Sequence, residues 1–227
     1  MKKIIFLLLA LFFICFNTYA SMTVTTGDAF ENFLTYSVTD ENSDFTISQN
    51  KVTWSSLRRD ADSWVVLDKG AGYFSGDFTH DFEFMVTASS GTDGTNIYSV
   101  TNNTGDLQDQ IDASGNGVYT YLTWNGSNVE FVTFEMHNGS LTWGDADTFA
   151  LSYNTLYYAR CVRTEGSPST WTCDVYSDPG RTSEVCDSTV NLTDDENLRY
   201  LFPVLSRGAA SDADEFSGYV QRLSIGE

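Results

Sequence analysis

Asp81 and Glu83 stand two residues apart in the run FTHDFEFMVTAS, residues 78–89. Alternate residues of a strand face the same way, so this pair sets two carboxyl groups side by side. Two carboxyls flanking a glycosidic bond are the minimum for its hydrolysis. Asp-Ala-Asp occurs three times, at Asp60–Asp62, Asp145–Asp147 and Asp212–Asp214, each time in an expected loop. Loop carboxylates with backbone carbonyls nearby offer the hard oxygen ligands that calcium takes. Asp145 and Asp147 lead as metal ligands because Trp143 and Gly144 adjoin them, although no triplet has the glycine and terminal glutamate of an EF-hand loop. A sugar needs an aromatic ring for its apolar face and polar groups for its hydroxyl edge. Trp124 beside Asn125, and Trp143 beside Asp145, meet that need at loop edges; with Tyr121 they form the expected ligand-binding set. Trp54, Trp64 and Trp171 read as core or strand packing.

The thiols and imidazoles read differently. In YYARCVRTEGSPSTWTCDVYS, residues 157–177, a loop near Thr164–Thr170 folds two arms together. If Arg163 pairs with Trp171, Cys161 falls opposite Cys173, close enough for a cross-strand disulfide. Cys186 is then left over, though it could instead take either of the other two. A catalytic cysteine wants a histidine beside it, and His80 and His137 are the only two. His80 lies on the apolar face of its strand, which marks a hydrogen-bonded core residue rather than a ligand.

These side chains must be positioned by strands. In residues 78–89, Phe78, His80, Phe82, Phe84 and Val86 point one way and Thr79, Asp81, Glu83, Met85 and Thr87 the other, the alternation of a sheet with one face on a core. Further strand-like runs cover residues 45–57 (two strands, broken near Asn50), 63–68, 118–143 (with turns at Asn125–Asn128 and Asn138–Gly139), DTFALS, LRYLFPVLS and FSGYVQRLSIGE. No segment sustains the apolar period of a helix. About a dozen short strands, with only 3 prolines and abundant Tyr, Phe, Thr and Val, predict an all-β sandwich or barrel.

Residues 1–20 have a basic start, a short apolar run and Thr18-Tyr19-Ala20, as a secretory signal cut after Ala20 would. The expectation is an exported protein, extracellular or periplasmic, with one domain over residues 21–227 and no direct membrane insertion. The formal charge is −19, and loss of Lys2 and Lys3 with the leader makes it more negative. Such a chain repels phosphate backbones and anionic lipid heads, so nucleic acid is a poor partner. An acidic surface keeps an exported protein soluble; it also suits divalent cations or a salty habitat. Asn-x-Ser/Thr begins at Asn102, Asn125, Asn138 and Asn191, a pattern that composition alone produces in a chain so rich in Asn, Ser and Thr.

The stretch TLYYARCVRTEGSPSTWTCDVYSD resembles the aromatic strand, hairpin and Tyr-x-Asp turn of laminin G-like and concanavalin A-like domains, with Tyr157, Tyr158, Arg163, Tyr176 and Asp178 in the matching places. FSGYVQRLSI resembles their closing strand through Phe216, Gly218, Val220 and Leu223, and FSGDFTHDFEFMV an early one. The resemblance implies an antiparallel jelly-roll β-sandwich of two sheets, in a superfamily of lectins, adhesion modules and glucanases. It departs at Pro179, where the family has a glycine, and the legume-lectin metal motif is absent. The glucanases carry a Glu-x-Asp-x-x-Glu run; here the order is reversed and Val86 replaces the third carboxylate. The reading that follows is a non-catalytic module binding a glycan or glycoprotein, with calcium as the cofactor it would use. The alternatives are an adhesion or structural module for protein partners and, third, a glycoside hydrolase. Fold does not choose among them.

Overall fold

The computed structural model describes residues 30–91, 94–124, 128–146, 150–194, 196–208 and 214–226. They form fifteen strands: β1 (Ser37–Asp40), β2 (Phe45–Ser48), β3 (Lys51–Arg58), β4 (Ser63–Asp68), β5 (Phe78–Ser89), β6 (Thr95–Thr101), β7 (Gly117–Trp124), β8 (Val129–His137), β9 (Ser140–Trp143), β10 (Asp145–Ala146), β11 (Tyr157–Thr164), β12 (Ser169–Tyr176), β13 (Glu184–Leu192), β14 (Tyr200–Leu205) and β15 (Glu215–Gly226). Every pairing is antiparallel, in a sheet of seven, β1-β4-β14-β6-β7-β8-β9, and a sheet of eight, β10-β13-β12-β11-β5-β15-β3-β2. The two sheets are the layers of a jelly-roll sandwich.

The core lies between them. From the sheet of eight come Trp54, Phe82, Phe84 and Trp171, all at most 2% exposed; from the sheet of seven come Tyr98, Leu122 and Phe131, likewise buried. Tyr98 stacks on Phe82 at 5.0 Å and on Trp171 at 5.9 Å, so aromatic faces carry the contact between layers. The expected hairpin forms as read: Arg163 pairs with Trp171 and Cys161 with Cys173. Those cysteines are joined, with Cα atoms 4.0 Å apart, and the bridge lies buried beneath Thr120, whose Oγ1 is 3.4 Å from Cys173 Sγ. Cys186 stays outside the bridge, buried on β13. His80 is 1% exposed, contacts the Tyr98 hydroxyl through Nδ1 and stacks on Phe78 at 4.6 Å. Burial, helped by the charge of Lys69, lowers its pKa to about 3.

The motifs behind the family resemblance have structural work. Arg163 is 1% exposed and donates through Nη1 to the carbonyls of Phe74 and Glu196. The Asp178 carboxylate accepts from the Ser183 and Thr182 amides, closing the turn between β12 and β13. Gly218 lets β15 approach β5, since a Cβ there would stand 2.4 Å from the Met85 carbonyl oxygen.

One helix was not expected. α1 (Leu107–Asp112) is only six residues long, too short to show a period. Its start was nonetheless written in the chain: Asp106 is an N-cap whose carboxylate accepts the Asp109 amide at 2.8 Å. α1 packs on the outer face of the sheet of seven, where Leu107 joins Tyr119, Tyr121, Phe134, Met136 and Phe202 in a second apolar cluster.

Candidate functional site

Strand register sets out that outer face in rows. One row runs Leu205, Asn96, Tyr121, Val132 across β14, β6, β7 and β8. The next runs Phe202, Ser99, Tyr119, Phe134, Trp143 and ends on the edge strand β9. The aromatic rings touch. Tyr119 stacks on Phe134 at 4.6 Å, Phe134 meets Trp143 at 4.7 Å, and Tyr121 meets Trp143 edge-on at 5.7 Å. Tyr121 and Phe134 are buried, whereas Trp143 is 47% exposed. Trp143 is thus a ring fixed from below and open above. Beyond Val132 on the same face, Glu130 and Thr123 pair across β8 and β7, both half-buried. They bring a carboxylate and a hydroxyl to the aromatic face.

The expected ligand-binding set is therefore divided. Trp143 offers a surface. Tyr121 is 2% exposed and supports Trp143, its hydroxyl accepting the Gly94 amide at 3.0 Å. Trp124 lies on the opposite face of the same sheet, half-buried against the core, with Tyr153 at 6.2 Å. Asn125 lies outside the described residues. Asp145 is exposed on β10, in the other sheet from Trp143, because the chain crosses between the layers at Gly144; Asp147 lies outside the described residues. Sequence reasoning missed Glu130 and Thr123, and only the register of β7 on β8 shows that they share a face with Trp143.

The other carboxylates that the sequence singles out are engaged where the structure describes them, and Asp212 lies outside the described residues. Asp81 accepts from Arg160 Nε and Nη2, both at 2.9 Å, with Arg181 at 3.4 Å. Glu83 accepts from Gln221 Nε2 at 2.7 Å and Arg222 Nη1 at 3.1 Å. Asp60 is clasped by Arg58, with Nε at 2.9 Å. Asp106, 2% exposed, is held protonated to higher pH than usual. Burial is the main cause, then the charges of Asp109 and of Asp62, its hydrogen-bond partner, working against the Asp109 amide. Among the described residues one group of three or more metal-type donors comes together: His137, Asp194 and Glu196.

Two antiparallel layers in this order make a jelly-roll sandwich of concanavalin A-like type. Solved structures share it at low identity. The carbohydrate recognition domain of Emp47p superposes with a TM-score of 0.56 at 11% identity, covering 87% of this chain and 94% of that one. The exoplasmic/lumenal domain of VIP36, in a form bound to Ca2+ and Man3GlcNAc, gives 0.56 at 11% identity over 88% of each. A xylan β-1,4-xylosidase from Bacillus halodurans C-125 gives 0.50 at 9% identity, over 78% of this chain and 33% of its own. No family model and no curated protein matches the sequence.

Proposed function

We propose that this protein is an exported, non-catalytic carbohydrate-binding module whose sugar rests on Trp143. The observation that carries the reading is the exposed Trp143 ring, held from beneath by the buried Phe134 and Tyr121. A ring already fixed in place loses little freedom when a pyranose stacks on it, so more of the contact energy appears as affinity. Glu130 and Thr123, paired on that face, are of the chemical types that hydrogen-bond sugar hydroxyls. The fold supports the same reading, since the Emp47p domain is a carbohydrate recognition domain and the VIP36 domain was solved with Man3GlcNAc. Calcium, present in that VIP36 form, is the cofactor we propose, with Asp145 as one ligand. Arginines hold Asp81 and Glu83 on the outer face of the other sheet, which suits a structural role for that pair.

The test is a glycan array probed with residues 21–227, in calcium and in chelator, followed by titration of the best sugar into wild type and Trp143→Ala. Loss of one stacked aromatic contact should weaken binding at least about tenfold, as removal of a well-packed anchor does. Unchanged affinity in the variant would move the site off this face. No sugar bound in either condition would overturn the module itself and favour a protein-binding role.

A further inference from the structure

His137 ends β8 in the sheet of seven, and Asp194 and Glu196 lie in the connection that carries the chain from β13 in the sheet of eight back to β14. One donor atom from each of the three lies within 4.8 Å of the others. His137 Nε2 is 3.7 Å from Asp194 Oδ2, and Nδ1 is 3.7 Å from Glu196 Oε1. Nδ1 is shielded from solvent and makes no hydrogen bond, whereas Nε2 meets the Asn138 side-chain amide at 2.8 Å. From this arrangement we propose a binding site for a divalent metal ion of the zinc class, separate from the sugar face.

The geometry fits such an ion. Two donors 3.7 Å apart, each about 2.1 Å from an ion between them, subtend about 120°, within reach of tetrahedral coordination. Nδ1 and Glu196 Oε1 supply this first pair. Asp194 is 67% exposed, so its carboxylate is free to swing in as the third ligand. An imidazole beside two carboxylates suits zinc or nickel better than calcium, which takes six or more oxygens. The outer contacts needed to aim the ligands are also present. Asn116 Nδ2 donates to Glu196 Oε1 at 2.9 Å, while Asn116 Oδ1 accepts the Asn138 amide at 2.5 Å. Asn138 Nδ2 lies at the far ring nitrogen; with a metal on Nδ1 that nitrogen carries the proton and needs an acceptor, which the Asn138 amide supplies by turning its Oδ1 toward it. A metal here would tie the end of β8 to the connection between the layers.

The experiment is calorimetric titration of zinc ion into wild type, His137→Ala, Asp194→Asn and Glu196→Gln, with melting curves of each. Glutamine keeps an acceptor for Asn116, so Glu196→Gln tests the charge without removing that bond. We expect one zinc per chain in wild type and a loss of at least about tenfold in affinity in His137→Ala and Glu196→Gln. The zinc-induced rise in melting temperature should disappear with it, and excess calcium should not compete. Absence of zinc binding in wild type, or equal affinity in wild type, His137→Ala and Glu196→Gln, would overturn the site.

Discussion

At the residue scale, the side chains fall into those whose roles depend on local alternation and those whose roles depend on distant partners. His80 belongs to the first kind. Its place on the apolar face of β5 marked it as a core histidine, and it is one, against Phe78 and Tyr98. Burial gives it a testable signature. Its folded pKa is lowered to about 3, below the ordinary value near 6.5. Between those values the unfolded chain takes up the proton and the folded chain does not. Its contribution is therefore whole above about pH 6.5 and is lost as pH falls, at up to about 1.4 kcal/mol per pH unit. Proton NMR should show the His80 ring unchanged from pH 8 to 4.5 in the folded protein. A midpoint between 6 and 7 would contradict this burial. Asp194 and Glu196 are of the second kind. They lie more than fifty residues from His137, and no local pattern links them. Tyr121 shows the same limit. Its aromatic character was legible, but whether it would offer its face or its support depended on what β9 laid over it.

At the element scale, strands whose residues alternate were read with nearly their true bounds, as β5 and the hairpin of β11 and β12 show, and the short apolar run of β4 was too. Those with mixed faces were not. β13, EVCDSTVNL, has a polar outer face and a thin apolar one, so it carried little signal. The step from β9 to β10 also escaped, because Trp143-Gly144-Asp145 reads as one turn while the chain is changing sheets. Gly144 makes that crossing possible. Its amide donates to the Thr133 carbonyl at 2.9 Å, and a Cβ there would stand 2.6 Å from the Thr189 carbonyl oxygen and 2.7 Å from Thr133 Oγ1. Backbone of both layers therefore hems it in. Gly144→Ala should destabilise the fold by about 1–3 kcal/mol, the cost of overpacking a tight site. It should also shift Trp143 and weaken sugar binding. Urea unfolding checks the first effect and titration the second; wild-type stability in the variant would show that the crossing has slack.

At the scale of the whole molecule, the sandwich was legible because composition and period agree: many aromatic and β-branched residues, short runs and few prolines. The assignment of strands to sheets was not legible, since every sheet joins strands distant in sequence, as β5 does with β11 and β15. Charge acts at this same scale. A formal charge of −19 sets the surface against itself, and salt relieves that repulsion. About 1 kcal/mol of relief would raise the melting midpoint by about 2–4 °C for a chain of this size. Sodium chloride and calcium chloride at matched ionic strength separate screening from binding. If acidity only solvates the surface, the two salts give the same rise. If Asp145 helps to hold calcium, calcium adds a further rise by stabilising the folded state alone. We expect the further rise, reversed by chelator and absent in Asp145→Asn. Equal curves in the two salts would remove calcium as a proposed cofactor while leaving the Trp143 platform to be judged by its own titration.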